Sequence, residues 1–439
     1  MIRLHAFIKS NWVAFTISEW LDIAANVMGV VCGLIIAKRI NNPRLAFYSL
    51  LAVAASGFGQ TFFISVMGGE LRQAFGLSLT AYGSLYSGAT LVSAFLLFRF
   101  GALADTWSLP KVTSLAIAIL VGGCLVVGIA FSSLVLFLGF ILIRFGGQGF
   151  ISHMGITTAA RYFSSQRGKA VAMAELGLPL SEAVLPAGAV FIITHMGWRW
   201  SWMAGAFFIV TVVWPLLLFL AKNPPAFTRD RNTPGKKDKK TDMNRKQVLR
   251  DPGFYLVLPA TLAIPFTVTA LFFHQVAIAD AQGWSVQLLG RAFSGYALGH
   301  LLTLFLAGTV VDRISAGRTL PLGLLPMAAS LVLLALVQAD WAAYVYLVLI
   351  GMASGLCATA GGAVWAERYG LLHLGAIRAM TQAIMVLSTA VAPVLLGFLL
   401  DAGIGVTVLA IFMAAAVLVV SFLSFVPVLS QKKQVVDPN

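Results

Sequence analysis

Two stretches decide how this chain is read: Gly101-Ala-Leu-Ala-Asp105-Thr-Trp-Ser-Leu-Pro-Lys111 and Gly308-Thr-Val-Val-Asp312-Arg313-Ile-Ser-Ala-Gly317-Arg318. Each is a short polar hairpin between long apolar runs, with an acid four residues after a glycine and a base further on. Asp312 follows Asp105 by 207 residues, and the same offset carries Ser87 and Gly88 onto Ser294 and Gly295, and Gly155 onto Gly362. It also carries Arg161 and Tyr162 onto Arg368 and Tyr369, Gly168 onto Gly375 and Pro186 onto Pro393. One gapless register over so much of the chain is an internal duplication. A glycine lets two helices approach closely at a turn, and an aspartate near a helix N-terminus is favoured by the macrodipole. A plain tight turn would explain either copy alone, but not two copies at the common offset.

The chain has 439 residues, 59% hydrophobic and only 10% charged, where a globular protein has about a quarter charged. Most of it must face lipid or other helices in lipid, so it is not a soluble domain. Duplicated halves in so apolar a chain are a mark of transporters. The net charge of +14 is confined to alternate loops, which makes it a report of topology and not the signature of a nucleic-acid partner. Cys32, Cys124 and Cys357 all lie inside apolar runs and argue for neither disulfides nor a metal site.

From Leu45 onward, apolar runs of about 18 to 25 residues alternate with polar breaks, and each run is long enough to cross a bilayer. They number twelve: 45–68, 79–100, 112–131, 133–158, 168–194 and 199–221, then 254–279, 287–308, 319–338, 341–366, 375–400 and 404–428. The fold expected is an all-α membrane protein with twelve transmembrane helices in two pseudo-symmetric six-helix bundles. Residues 45–221 form the first bundle and 254–428 the second, joined by a basic solvated linker over 222–253 and followed by a tail over 429–439. Within 1–44, the apolar stretch from Ala24 to Ala37 is too short for a spanning helix, so an interfacial helix is favoured over a thirteenth span or a misassigned start. Alternate breaks carry Lys38, Arg39, Arg44, Arg99, Lys111, Arg161, Arg167, Lys169, Arg313, Arg318 and Arg368, which assigns them, the linker and both termini to the cytoplasm. The opposite breaks, with Glu70, Arg72, Arg199, Asp280, Asp340 and Asp401, are nearly balanced.

Twelve spans in two halves, a basic central linker and the Gly-x-x-x-Asp element after the second and eighth spans resemble the major facilitator superfamily, over residues 45 to 428. The resemblance implies that Gly101, Asp105 and Lys111, with Gly308, Asp312, Arg313 and Arg318, form a conformational switch that braces the inward-closed arrangement. The first copy departs from the pattern at Thr106 and at Leu109-Pro110, which weakens its charge network. Arg144-Phe-Gly-Gly-Gln148-Gly149 is similar to the family's intramembrane arginine motif. Arg161-Tyr-Phe with Arg167-Gly168-Lys169 more faintly resembles the monocarboxylate and oxalate-formate branches, which set charged residues in span 8 and sometimes span 11. Here span 8 offers Ser294, Tyr296 and His300 instead.

The polar residues within the runs are the candidates for a substrate or proton pathway. Arg144 and Gln148 are four apart on span 4, and Glu175 and Glu182 are seven apart on span 5, so each pair shares a helix face. At about 1.5 Å per residue, Arg144 and Glu182 both lie roughly 20 Å deep, which makes them candidates for a buried ion pair. His300 sits near mid-membrane, with Tyr296 one turn away, while His274 lies at the outer end of span 7 and Gln60 on span 1. Each also admits a plainer reading as a packing or helix-helix hydrogen-bonding residue. No His-x-x-x-His, Gly-x-Ser-x-Gly or P-loop pattern appears, so no enzyme, cofactor or metal site is expected. The function expected is a monomeric, multi-pass carrier of the cell (inner) membrane, coupled to protons and moving a small polar or anionic organic solute. The alternative is proton-driven efflux of amphipathic compounds.

Overall fold

The computed structural model describes residues 40–101, 103, 107–163, 166–222, 224, 243–370 and 373–436. Asp105, nearly all of the N-terminal extension and most of the linker lie outside the described residues. Where they are described, the chain is helical and contains no strand. Lipid offers no hydrogen bonds to a backbone, so an apolar run that crosses it closes its own peptide bonds as a helix.

Twelve helices are long and apolar enough to cross a membrane among the described residues: α1 Pro43–Ser65, α2 Leu79–Phe100, α3 Leu109–Gly128, α4 Ser133–Tyr162, α5 Lys169–Met196 and α6 Trp198–Ala221 in the first half. The second half has α7 Pro252–Phe273, α8 Val286–Ile314, α9 Ala316–Leu336, α10 Asp340–Tyr369, α11 Leu374–Asp401 and α12 Val406–Val436. Their starts carry ordinary caps: Ser78, Ser132 and Ser285 accept from backbone amides of the first turns of α2, α4 and α8, and prolines sit in the first turns of α1, α3 and α7.

The second Gly-x-x-x-Asp element is not a hairpin. Helix α8 runs through Gly308 and Asp312 to Ile314, and the turn comes at Ser315, which adopts a positive φ of 79°. A Cβ added at Gly308 would meet nothing within 4 Å, so no close helix approach requires the glycine in this state. The turn is held by Glu367 of α10, whose Oε2 accepts from the Ala316 amide at 2.7 Å. Asp312 and Arg313 are exposed, as is Lys111 at the corresponding end of the first half.

We call the end carrying Arg99, Lys111, Arg313, Arg318 and Arg368 the basic end. The halves meet at the other end, through α2 against α11 and α5 against α8. There the Gly83 backbone approaches α11 so closely that an added Cβ would lie 2.7 Å from the Pro393 carbonyl oxygen. Tyr82 and Tyr86 of α2 both pack on Phe273 of α7, with ring centroids 4.5 and 4.4 Å apart. Toward the basic end the helices part, and a cavity of about 610 Å³ opens between the halves.

Candidate functional site

The cavity wall is built from both halves, and the local backbone decides which side chains reach it. Helix α1 is interrupted: Ser56–Gly59 is a 3-10 turn and Gln60 is extended, at φ −86° and ψ 157°. The break turns Gln60, Thr61 and Phe62 onto the cavity. It also presses two backbones together, since a Cβ at Gly59 would lie 2.3 Å from the Ile143 carbonyl oxygen and 2.6 Å from the Gln148 nitrogen. Opposite the break, α4 widens into a π-helix over Arg144–Ile151, a common device at functional sites.

Arg144 and Gln148, which their spacing placed on one face, do not both reach the cavity. Gln148 lines the cavity, whereas Arg144 is 3% exposed and faces into the first bundle. Its Nε donates to Thr90 Oγ1 at 3.2 Å, its Nη1 donates to the Gly59 carbonyl at 3.1 Å, and the guanidinium lies 4.7 Å from the centre of the Tyr86 ring. The expected ion pair between Arg144 and Glu182 is therefore not formed. The depth estimate counted residues along each helix, and depth carries no information about azimuth: the two side chains meet different partners.

The partner of Glu182 comes from the other half. Its Oε2 accepts from His300 Nδ1 at 3.0 Å, with Glu182 2% and His300 8% exposed. Two contacts place the histidine: Gly351 and Gly355 of α10 bring that helix against the backbone of α8, and added Cβ atoms there would lie 2.1 Å from the Tyr296 carbonyl oxygen and 2.6 Å from that of His300. Tyr296 donates its hydroxyl to Ser354 Oγ at 3.3 Å and lines the same wall. Glu175, two turns nearer the mouth than Glu182, also lines the cavity. Of the residues singled out in the sequence, Gln60, Gln148, Glu175, Glu182, Tyr296 and His300 are brought together here. His274 is not among them: it is buried at the closed end, where its Nε2–H donates to the Pro393 carbonyl at 2.7 Å.

The charged cavity residue that escaped sequence reading is Arg378. Arg378 of α11 lines the wall and is exposed to it, with its Nη2 3.5 Å from where a Cβ on Gly362 would stand. The signal was present, because Arg378 is a lone guanidinium inside the eleventh apolar run. A guanidinium keeps its charge and offers a planar fork of donors that matches a carboxylate or phosphate. Among the described residues no group of three or more His, Cys, Asp or Glu is placed to hold a metal ion.

Two overlapping matches to the model of the Major Facilitator Superfamily, over residues 49–277 and 260–438, cover both halves. The chain belongs to this superfamily. Its members are transporters, so this chain is a secondary transporter working by alternating access, and not an enzyme. Among solved structures the superfamily fold recurs in a bacterial homolog to the human lysosomal transporter Spinster, in an inward-facing, unoccupied conformation: TM-score 0.61 and 15% identity, over 89% of this chain and 96% of that one. The same homolog in an inward-facing, occupied conformation gives a TM-score of 0.63 and 16% identity, over 88% and 96%. A mutant of the nucleoside transporter NupG gives 0.64 and 13%, over 88% and 98%. At these identities the likeness is one of fold. No curated protein matches the chain. As a superfamily member, the protein carries its cavity where the two halves are free to part, with charged groups from both halves in one wall.

Proposed function

We propose that the protein is a proton-coupled carrier of the cell (inner) membrane, monomeric and with both termini cytoplasmic, that moves a small polar or anionic organic solute. The basic loops support this orientation through the positive-inside bias, and in this orientation the described state opens inward. One observation carries the reading: Glu182 and His300, from opposite halves, share a hydrogen bond in the wall of the cavity.

The chemistry follows from counting charge on that pair. With a proton on each ring nitrogen of His300 and Glu182 ionised, the pair is neutral overall. When Nε2 loses its proton, the pair carries one negative charge. Closing a low-dielectric site over an uncompensated charge costs several kcal/mol, so the halves close readily only with the proton aboard. Water reaching the pair from an acidic side delivers that proton, and opening to a less acidic side releases it. Glu175, the Tyr296 hydroxyl and Arg378 line the same cavity, and Arg378 supplies the fixed charge that favours an anionic solute. A second reading, efflux of amphipathic compounds, draws on Phe62, Phe272 and Trp365 in the wall.

The test is transport by purified protein in liposomes with an imposed pH difference, using a panel of organic acids, sugars and amphipathic drugs. Wild type should show solute-dependent proton entry and accumulate the solute. Glu182→Gln should keep solute exchange but lose accumulation. If the variant still concentrates solute in proportion to the pH difference, the Glu182–His300 pair does not carry the coupled proton. Flux directed only outward for amphipathic compounds would favour efflux.

A further inference from the structure

Four cavity residues bear ionisable charge of consequence, and only two of them are matched to each other. Glu182 and His300 share their hydrogen bond. Glu175 on α5 and Arg378 on α11 line the same cavity, and neither has a hydrogen-bond or ion-pair partner among the described residues. His300 is near enough to act electrostatically on Glu175, but its Nδ1–H is committed to Glu182.

These two groups stand across the pseudo-symmetry of the chain. The 207-residue register sets Glu175 against Gln382, and Arg378 is four residues, or about one turn, before Gln382. At about 1.5 Å per residue, Glu175 lies about 9 Å from the start of α5 at Lys169 and Arg378 about 6 Å from the start of α11 at Leu374. One belongs to each half, and both lie on the side of the mouth that must close for the solute to cross.

We infer that the solute is a zwitterion, whose anionic group is held by Arg378 and whose cationic group is held by Glu175. This rests on the reading of the cavity as the solute's path, but not on proton coupling at Glu182. Closing the basic end removes water from both charges, and either one left alone costs several kcal/mol. A neutral solute leaves both charges unmatched. A simple cation leaves Arg378, which cannot shed its proton. A simple anion satisfies Arg378 and leaves Glu175 to be neutralised by some other means. A molecule with both charges matches both walls at once, and its carbon body meets Phe62, Phe272 and Trp365.

The test is binding to purified protein in detergent at one pH, read as thermal stabilisation over a concentration series. Solutes are compared in matched trios: phenylalanine with 3-phenylpropanoate and 2-phenylethylamine, leucine with 4-methylpentanoate and 3-methylbutylamine, and glycine betaine with 3,3-dimethylbutanoate and tetramethylammonium. At least one zwitterion should bind about tenfold or more tightly than both of its single-charge counterparts. Arg378→Gln should abolish that advantage. Glu175→Gln should bring the carboxylate counterpart level with the zwitterion. The proposal is overturned if no zwitterion in the panel outbinds its counterparts in wild type, a comparison that needs no variant to fold. It is also overturned if the advantage survives both substitutions. With no pH gradient present, a carrier in which Glu182 proves not to couple protons would still give the expected pattern.

Discussion

Asp401 closes the first turn of a helix in the other half: its Oδ2 accepts from the Thr80 amide at 2.7 Å and from Thr80 Oγ1 at 2.6 Å, and its Oδ1 accepts from the Leu79 amide at 3.2 Å. The acid ends α11 and the amides begin α2, so a negative charge meets the positive end of a helix dipole across the line on which the halves part. The contact is exposed, which limits it to about 1 kcal/mol. That is still about a fivefold change in the balance between two states. In Asp401→Ala, a cysteine placed at Thr269 in the cavity should react about fivefold faster with an impermeant maleimide supplied from the end opposite the basic one. An unchanged rate would show that this contact does not hold that end shut.

The crossing of α1 and α4 admits no side chain at Gly59. Gly59→Ala should lower stability by about 1–3 kcal/mol, because the obstructing atoms, the Ile143 carbonyl oxygen, the Gln148 nitrogen and the Gly147 Cα, all belong to backbone and cannot rotate away. Gly122→Ala is the control, since a Cβ there meets nothing within 4 Å. Thermal midpoints in detergent should separate the two, and equal midpoints would mean that the crossing relaxes.

Asp251 fastens the start of α7 to the end of α10, where Arg368 Nη2 donates at 3.0 Å, Arg368 Nε at 3.2 Å and the Tyr369 hydroxyl at 2.7 Å. Burial alone would raise this carboxyl. The hydrogen bonds from Tyr369, the Gly253 amide and Arg368, together with the arginine's charge, outweigh it and hold Asp251 below the usual carboxylate range. A lowered carboxyl stabilises the fold fully above its unfolded value of about 3.9, and the benefit is lost as pH falls through the lower folded value. The difference in thermal midpoint between wild type and Asp251→Asn should therefore be constant from about pH 7 to pH 5 and shrink below about pH 4. A difference already falling between pH 7 and pH 5 would assign the effect to another group.

Asp312 is exposed in this state, and the switch role expected of it belongs to the closed one. Asp105→Asn together with Asp312→Asn should slow transport in liposomes while expression and solute binding stay nearly intact. Full-rate transport by the double variant would remove the switch role from both acids.

The spans were legible because each run of about twenty apolar residues records the thickness of lipid, and the duplicated register fixed which spans correspond. The polar wall was half legible. Glu175, Glu182, Tyr296 and His300 announced themselves as polar groups inside apolar runs, and depth set them at plausible levels. What depth could not supply was direction around the helix. Depth offered Arg144 as the partner of Glu182, but Arg144 turns into the first bundle, and the glycine contacts of α8 and α10 place His300 against Glu182 instead. Gly308 misled for a different reason: the helix outruns its apolar segment, and a turn read from hydropathy was placed before the backbone turns.

The packing of Tyr82 and Tyr86 on Phe273 does more than keep the halves together. Protons travel along threads of hydrogen-bonded water, and ring centroids 4.4 and 4.5 Å apart leave no room for such a thread between these rings. These rings thus form part of the seal between the cavity and the opposite end. A gap there would join the cavity to the far end and let water or ions pass without solute, so a carrier that alternates access depends on how tightly these rings close as well as on what its cavity binds.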